Sequence, residues 1–208
     1  MKHNQQLIQK FCTAAEKVSA VVKDVGTTAA AFSYIMKLCV GKSSCRLMAS
    51  GCEAPLSADA GRVCDQKQQK IIAASLPDPG DTSQLADLCD EHNIGFVSEN
   101  LRDHLAGVDI GVTLADFAVA DTGTLVIDSS GEDLRLTTMI SEIHAAILPK
   151  SRIRDTIFDV EDALCKMMKT APNYCSFISG ASRTADIERV LALGVHGPLE
   201  LHILLTEA

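Results

Sequence analysis

The stretch Gly180-Ala-Ser-Arg-Thr-Ala-Asp-Ile-Glu188, running on to Gly194-Val-His-Gly-Pro198, constrains this chain more than any other. It follows an apolar run, Tyr174 to Ser179, that reads as a buried strand. It continues as a helical segment from Thr184 to about Leu193 and ends in a last strand, Leu199 to Leu205. Strand, glycine turn, helix, glycine turn and strand make a βαβ unit, which commits the chain to a parallel sheet. In such a unit the helix N-terminus sits at the carboxyl end of a strand, where unpaired N–H groups and the helix dipole attract an anion. Ser182 and Thr184 add hydroxyl donors there, and Arg183 adds a full positive charge. The same residues also read as ordinary capping, with Ser182 or Thr184 as N-cap, Asp186 and Glu188 answering the dipole, and Gly194 ending the helix.

Upstream, Leu7, Phe11, Ala14, Val18, Val21, Val22 and Val25 recur at helical spacing, so residues 1–26 read as one amphipathic helix ending at Gly26. A second helix spans Thr28 to about Leu38, and residues 39–68 form a Gly/Ser/Cys-rich segment with the character of a variable insertion. Lys70 to Ser75 is a short buried strand, closed by a turn at Pro77 to Gly80. Asp81 and Gln84 resemble a capping box for a helix stopping near Asn93, and Gly95 to Ser98 is the next strand. Leu101 to Ala106 reads as a short helix. Phe117 to Ala120 and Thr124 to Ile127 are strands around Asp121-Thr-Gly123, where Gly123 supplies the positive φ that a hairpin turn can demand. Leu134 to Met139 is helical, Ile143 to Leu148 is a buried strand, and Thr156 with Asp159 caps a helix to about Thr170. The alternation predicts one α/β domain, 1–208, with a doubly wound, mainly parallel sheet.

A formal charge of −8 argues against a binder of nucleic-acid backbones. No run approaches the roughly 18 apolar residues of a membrane span, and Lys2, His3 and Asn4 open a terminus without a signal peptide's apolar core, so a cytoplasmic chain is expected. No two of the 8 cysteines stand as Cys-x-x-Cys, and their spacing matches neither zinc nor iron–sulfur ligation. They are expected to pack as small hydrophobes, with Cys39, Cys45 and Cys52 the one candidate cluster. The dinucleotide fingerprint, the P-loop and the Gly-x-Ser-x-Gly elbow are all missing, which disfavours a bound nicotinamide, ATP or a serine hydrolase. No metal or cofactor is expected in this chain.

The run Gly-x-Ser-x-Thr-x-Asp-Ile-Glu from Gly180, with Gly-x-His-Gly-Pro from Gly194, resembles the signature of the LUD (lactate-utilisation) domain family, specifically its LutC type. Ala115-Asp-Phe-Ala-Val-Ala-Asp-Thr-Gly-Thr-Leu-Val-Ile127 resembles that family's second motif and Ile143-His144 its third, so the likeness covers about residues 95–205. The resemblance implies a NagB/RpiA/CoA-transferase-like arrangement, a Rossmann-like sheet with flanking helices and an extra β-hairpin, which the turn at Asp121-Thr-Gly123 fits. It also implies a subunit acting beside iron–sulfur partner subunits that together oxidise L-lactate to pyruvate, with the clusters in the partners.

The candidate site residues are Asp121, Thr122, Gly123 and Thr124 at the hairpin, Glu142 and His144 before a buried strand, Gly180, Ser182, Arg183, Thr184 and Asp186 at the helix start, and His196 in its glycine-flanked loop. Loops at the carboxyl ends of neighbouring strands would gather them at one crevice. Arg183 and the helix N–H groups would seat a small carboxylate or other anion, and His144 or His196 would serve as base. Each also has a structural reading: Asp121 as an Asx-turn residue, His144 as a hydrogen-bonded core histidine, His196 as a turn brace. Related family members often carry Glu where Asp121 stands. Two other readings remain open: a free-standing CoA-transferase-like or sugar-phosphate-isomerase-like enzyme, with Glu142 as the acyl-transfer nucleophile, and a non-catalytic assembly subunit.

Overall fold

The computed structural model describes residues 2–42, 69–169, 171, 173–185, 191–193 and 197–207. Its main sheet has six strands in the order β1 (Ala20–Gly26), β12 (Glu200–Thr206), β7 (Ser141–Pro149), β4 (Val108–Leu114), β2 (Ile71–Ser75) and β3 (Gly95–Val97). Every neighbouring pair is parallel. A parallel sheet needs both faces covered, and β7 shows how its sequence meets that need. Ile143, Ala145 and Ile147 pack with α2 (Thr28–Gly41) and α3 (Pro79–Glu91), while Ala146 and Leu148 turn to the opposite core.

That opposite core is shared with a second sheet, in the order β8 (Ile153–Arg154), β5 (Phe117–Val119), β6 (Thr124–Asp128) and β9 (Cys175–Ile178). Ala118, Leu125 and Ile127 of the small sheet meet Leu201 and Ile203 of the large one, and α1 (Lys2–Lys17) adds Phe11 and Ala15. The β5–β6 hairpin seats directly on α1: Gly123 has φ +64°, and a Cβ there would run into the backbone of Ala14 and Ala15. The extra hairpin implied by the resemblance is therefore present. α4 (Glu132–Met139) crosses β4 at Gly111, where a Cβ would meet the Thr137 carbonyl, and α5 (Glu161–Met167) covers the outer face of the small sheet through Leu164.

Several expected elements differ. The expected N-terminal helix ends at Lys17; Ser19 takes a left-handed φ of 65° and Ala20–Gly26 becomes an edge strand, as befits a segment holding Val21, Val22 and Val25. α3 starts earlier than Asp81: Asp78 is the N-cap, its side chain accepting from Gly80 N, with Pro79 at the first helical position. β4, the fourth strand across the sheet, has no counterpart among the expected elements. The segment expected as a helix from Thr184 to Leu193 instead begins and ends as paired strands, β10 (Arg183–Ala185) antiparallel to β11 (Leu191–Leu193). The strand before it, β9, belongs to the small sheet and β12 to the large one, so the two ends of the stretch do not form a βαβ unit. Most of the 39–68 segment, including Cys45 and Cys52, lies outside the described residues.

Candidate functional site

The two sheets part where β9 runs into residues 179–182 and the chain returns through Gly197 and Pro198 to β12. The result is a cleft of about 450 Å³. Its wall is β9 and the loop Ser179–Ser182, its floor is His144 and Leu201, and Thr138 and Met139 close the side toward α4. The loop is fastened across the signature: Ser182 N donates to the Pro198 carbonyl at 3.0 Å, and Gly197 leaves room for the Ser182 side chain. Gly180 takes φ +78°, and a Cβ there would collide with the Val18 carbonyl, so the loop lies flat on the chain just after α1.

Among the described residues the lining is polar and carries no carboxylate, with hydroxyls from Thr138, Ser176, Ser179 and Ser182. Two hydroxyl chains hold the wall. Thr122 Oγ1, Thr124 Oγ1 and Ser179 Oγ are linked in series at 2.7 Å each, and Ser129 Oγ donates to Ser176 Oγ at 2.7 Å. At the rim, the Arg135 guanidinium lies 5.6 Å from the centroid of the exposed Tyr174 ring and donates to the Ser129 and Ser130 carbonyls.

His144 is 1% exposed, and its Nε2 lies 2.8 Å from the hydroxyl of Thr113, a fully buried residue of β4. Burial pushes the imidazole pKa down to about 4, so the ring is neutral at physiological pH. Nδ1 has no partner among the described residues. The ring's residue, His144, is among those that line the cleft.

Of the expected site residues, the structure brings His144, Gly180 and Ser182 to this cleft, and ties Thr122 and Thr124 to it through Ser179. Arg183 is exposed at the start of β10 and is not among the lining residues, and that strand start removes the expected helix N-terminus beside it. Asp121 turns to α1, where Lys10 pairs with it and with Asp155, at 2.6 Å to the latter. Glu142 lies 3.2 Å from Lys42, which also pairs with Asp109 at 2.8 Å, a largely buried cluster outside the cleft lining. Asp186, His196 and the Thr184 side chain lie outside the described residues. Cys39 is fully buried and burial pushes its thiol up to about 11, which is core packing rather than reactivity.

The cleft also sits at the other end of the sheet from the expected one. His144 is near the start of β7 and Leu201 near the start of β12, so it opens at the amino ends of these strands. At their carboxyl ends a groove of about 660 Å³ holds Lys150, Asp24, Glu16, Glu207 and Cys12, but Lys150 is paired with Asp24 and Glu207. Among the described residues carboxylates outnumber the cation there, a poor place for an anion. Sequence reasoning missed Thr113, Arg135 and Ser179; the strict alternation Val108-Asp-Ile-Gly-Val-Thr-Leu114 was the signal that could have found Thr113. It also missed Tyr34, His202 and Glu200, joined in series on the α2 side of the sheet at 2.9 and 2.8 Å. Among the described residues no three His, Cys, Asp or Glu side chains gather as metal ligands.

A family model described as LUD domain matches residues 8–206. Lactate utilization protein C of Halalkalibacterium halodurans is 35% identical over 114 residues, 52% of this chain and 49% of that protein. Lactate utilization protein C of Bacillus subtilis is 33% identical over 95 residues, 44% of this chain and 40% of that protein. The matched stretches thus span about half the length of these curated relatives or less. A solved structure of a DUF162 family protein from Deinococcus radiodurans shares the fold, with a TM-score of 0.57 over 98% of each chain at 14% identity.

Proposed function

The chain belongs to the LUD-domain family, and on that premise we propose that it is the LutC-type component of a lactate-utilisation system, holding a small carboxylate such as lactate or pyruvate in the cleft above His144. The observation that carries this reading is the lining: a hydroxyl-rich cleft, free of carboxylates among the described residues, with a neutral imidazole in its floor, in a chain whose formal charge is −8. In such a chain an anion avoids repulsion only where carboxylates are kept away. Ser176, Ser179 and Ser182 offer hydroxyl donors to a carboxylate, and Arg183, one residue beyond Ser182, offers the nearby charge. Oxidation of L-lactate to pyruvate would pass its electrons to iron–sulfur partner subunits, leaving this chain to bind and orient the acid. No observation favours the acyl-transfer reading, whose nucleophile Glu142 is occupied with Lys42.

A thermal-shift titration with L-lactate, pyruvate, phosphate and CoA tests the proposal, on the wild type and on Arg183→Ala and His144→Gln. A ligand at 100 times its dissociation constant stabilises by about 2.7 kcal/mol, which is a readable shift. Stabilisation by lactate or pyruvate that weakens in both variants is expected. A shift with CoA or phosphate alone would point to a transferase or isomerase instead. Neighbouring genes encoding Cys-x-x-Cys-x-x-Cys-x-x-x-Cys-Pro runs would supply the partners for reconstitution.

A further inference from the structure

We infer that Thr113 fixes His144 in the Nδ1–H tautomer, so that the imidazole meets a ligand in the cleft as a hydrogen-bond donor to an acceptor oxygen and not as a base that takes a proton. A buried hydroxyl has one proton to place. Thr113 is fully buried, and its Oγ1 has a single hydrogen-bond partner among the described residues, Nε2 of His144 at 2.8 Å. Were Nε2 to carry the ring proton, Thr113 would accept it and its own O–H would point into the core without an acceptor. An orphaned buried donor is costly, whereas an unused lone pair on a hydroxyl is cheap. Either tautomer leaves one donor over, and the Nδ1–H proton sits on a residue that lines the cleft whereas Thr113 is fully buried, so Thr113 donates and Nε2 accepts.

A neutral imidazole with an accepting Nε2 carries its proton on Nδ1. Nδ1 is the ring's remaining polar atom and has no partner among the described residues, in a residue that lines the cleft. The ring thus presents N–H to whatever oxygen lies above it, through a group that needs no protonation to act. A neutral histidine held as a donor can polarise a carbonyl, a role known in other enzyme sites. For a 2-oxo acid or 2-hydroxy acid this means contact with a keto, hydroxyl or carboxylate oxygen. Thr113 is then a positioning residue, acting through His144. The choice of ligand rests on the function proposed above; the tautomer does not.

The test is ¹⁵N NMR of the histidine side chains in the full chain. The wild type should give a protonated-type Nδ1 and an unprotonated-type Nε2 for His144. Thr113→Val, which keeps the shape and removes the hydroxyl, should shift the ring toward the Nε2–H form, and Thr113→Ser should restore the wild-type pattern. An Nε2–H pattern in the wild type overturns the inference even if neither variant folds, and so does a Thr113→Val spectrum identical to wild type. Adding pyruvate separates the two claims. Perturbation of the Nδ1 resonance supports both. The expected tautomer with no response to pyruvate or L-lactate upholds the role of Thr113 and removes the lactate reading.

Discussion

At the scale of single residues, two positions carry most of what the cleft requires. Gly180 combines a φ of +78° with contact against the Val18 carbonyl, so Gly180→Ala meets both a strained backbone and a clash. It should destabilise the chain by roughly 1–3 kcal/mol, read as a lower urea midpoint, and weaken ligand binding as the loop lifts. His144 makes stability depend on pH with a definite sign. Its folded pKa is lowered from 6.5 to about 4 by burial, so above pH 6.5 both states are neutral and nothing is lost. As the pH falls from there toward 4, the unfolded chain takes up the proton first. Stability then drops by roughly 3 kcal/mol in all, and His144→Gln should lack that component in urea melts run from pH 7 to pH 4. The resemblance singled out both residues, but their physical roles were hidden. Partners from β4 and the end of α1, far apart in sequence, set each environment.

At the scale of elements, the sequence was readable where one local rule acted alone. The helices Thr28–Gly41 and Glu132–Met139 and the hairpin strands around Gly123 stand close to where periodicity and turn chemistry put them. The capping box at Thr156 and Asp159 is formed, the Asp159 carboxylate accepting from Thr156 N at 2.8 Å. It misled where two rules competed. Val18 to Val25 satisfies a helical period, yet its β-branched side chains suit the sheet edge beside β12, and tertiary pairing decided. The run from Arg183 to Leu193 likewise has helix-compatible spacing, but pairing of Thr184 with Ala192 gives its backbone groups strand partners. The start of α3 offers a clean test. Asp78 is the observed cap, so Asp78→Ala should cost about 1 kcal/mol in thermal or urea melts, and Asp81→Ala less than half as much.

At the scale of the whole molecule, fold class was legible because alternating apolar strands and helices in a chain of 208 residues admit few architectures. The six-stranded parallel sheet and the added hairpin follow that reading. The location of the site was not legible. The general rule sends ligands to the carboxyl ends of parallel strands, where this chain holds the acidic groove around Lys150. A second sheet on one face creates a different crevice at the amino ends of β7 and β12, and β9 supplies its wall. No local pattern announces that arrangement, because it depends on β9 joining β6 and not the main sheet. A small carboxylate bound in the inter-sheet cleft would shift the amides around it, which makes amide chemical-shift mapping of the labelled chain during a pyruvate titration the decisive measurement. Saturable shifts are expected at His144, through residues 176–182 and at Gly197, with Asp24 and Lys150 unmoved. Shifts confined to the groove at Cys12, Asp24 and Lys150, or none anywhere, would rule out binding in the cleft.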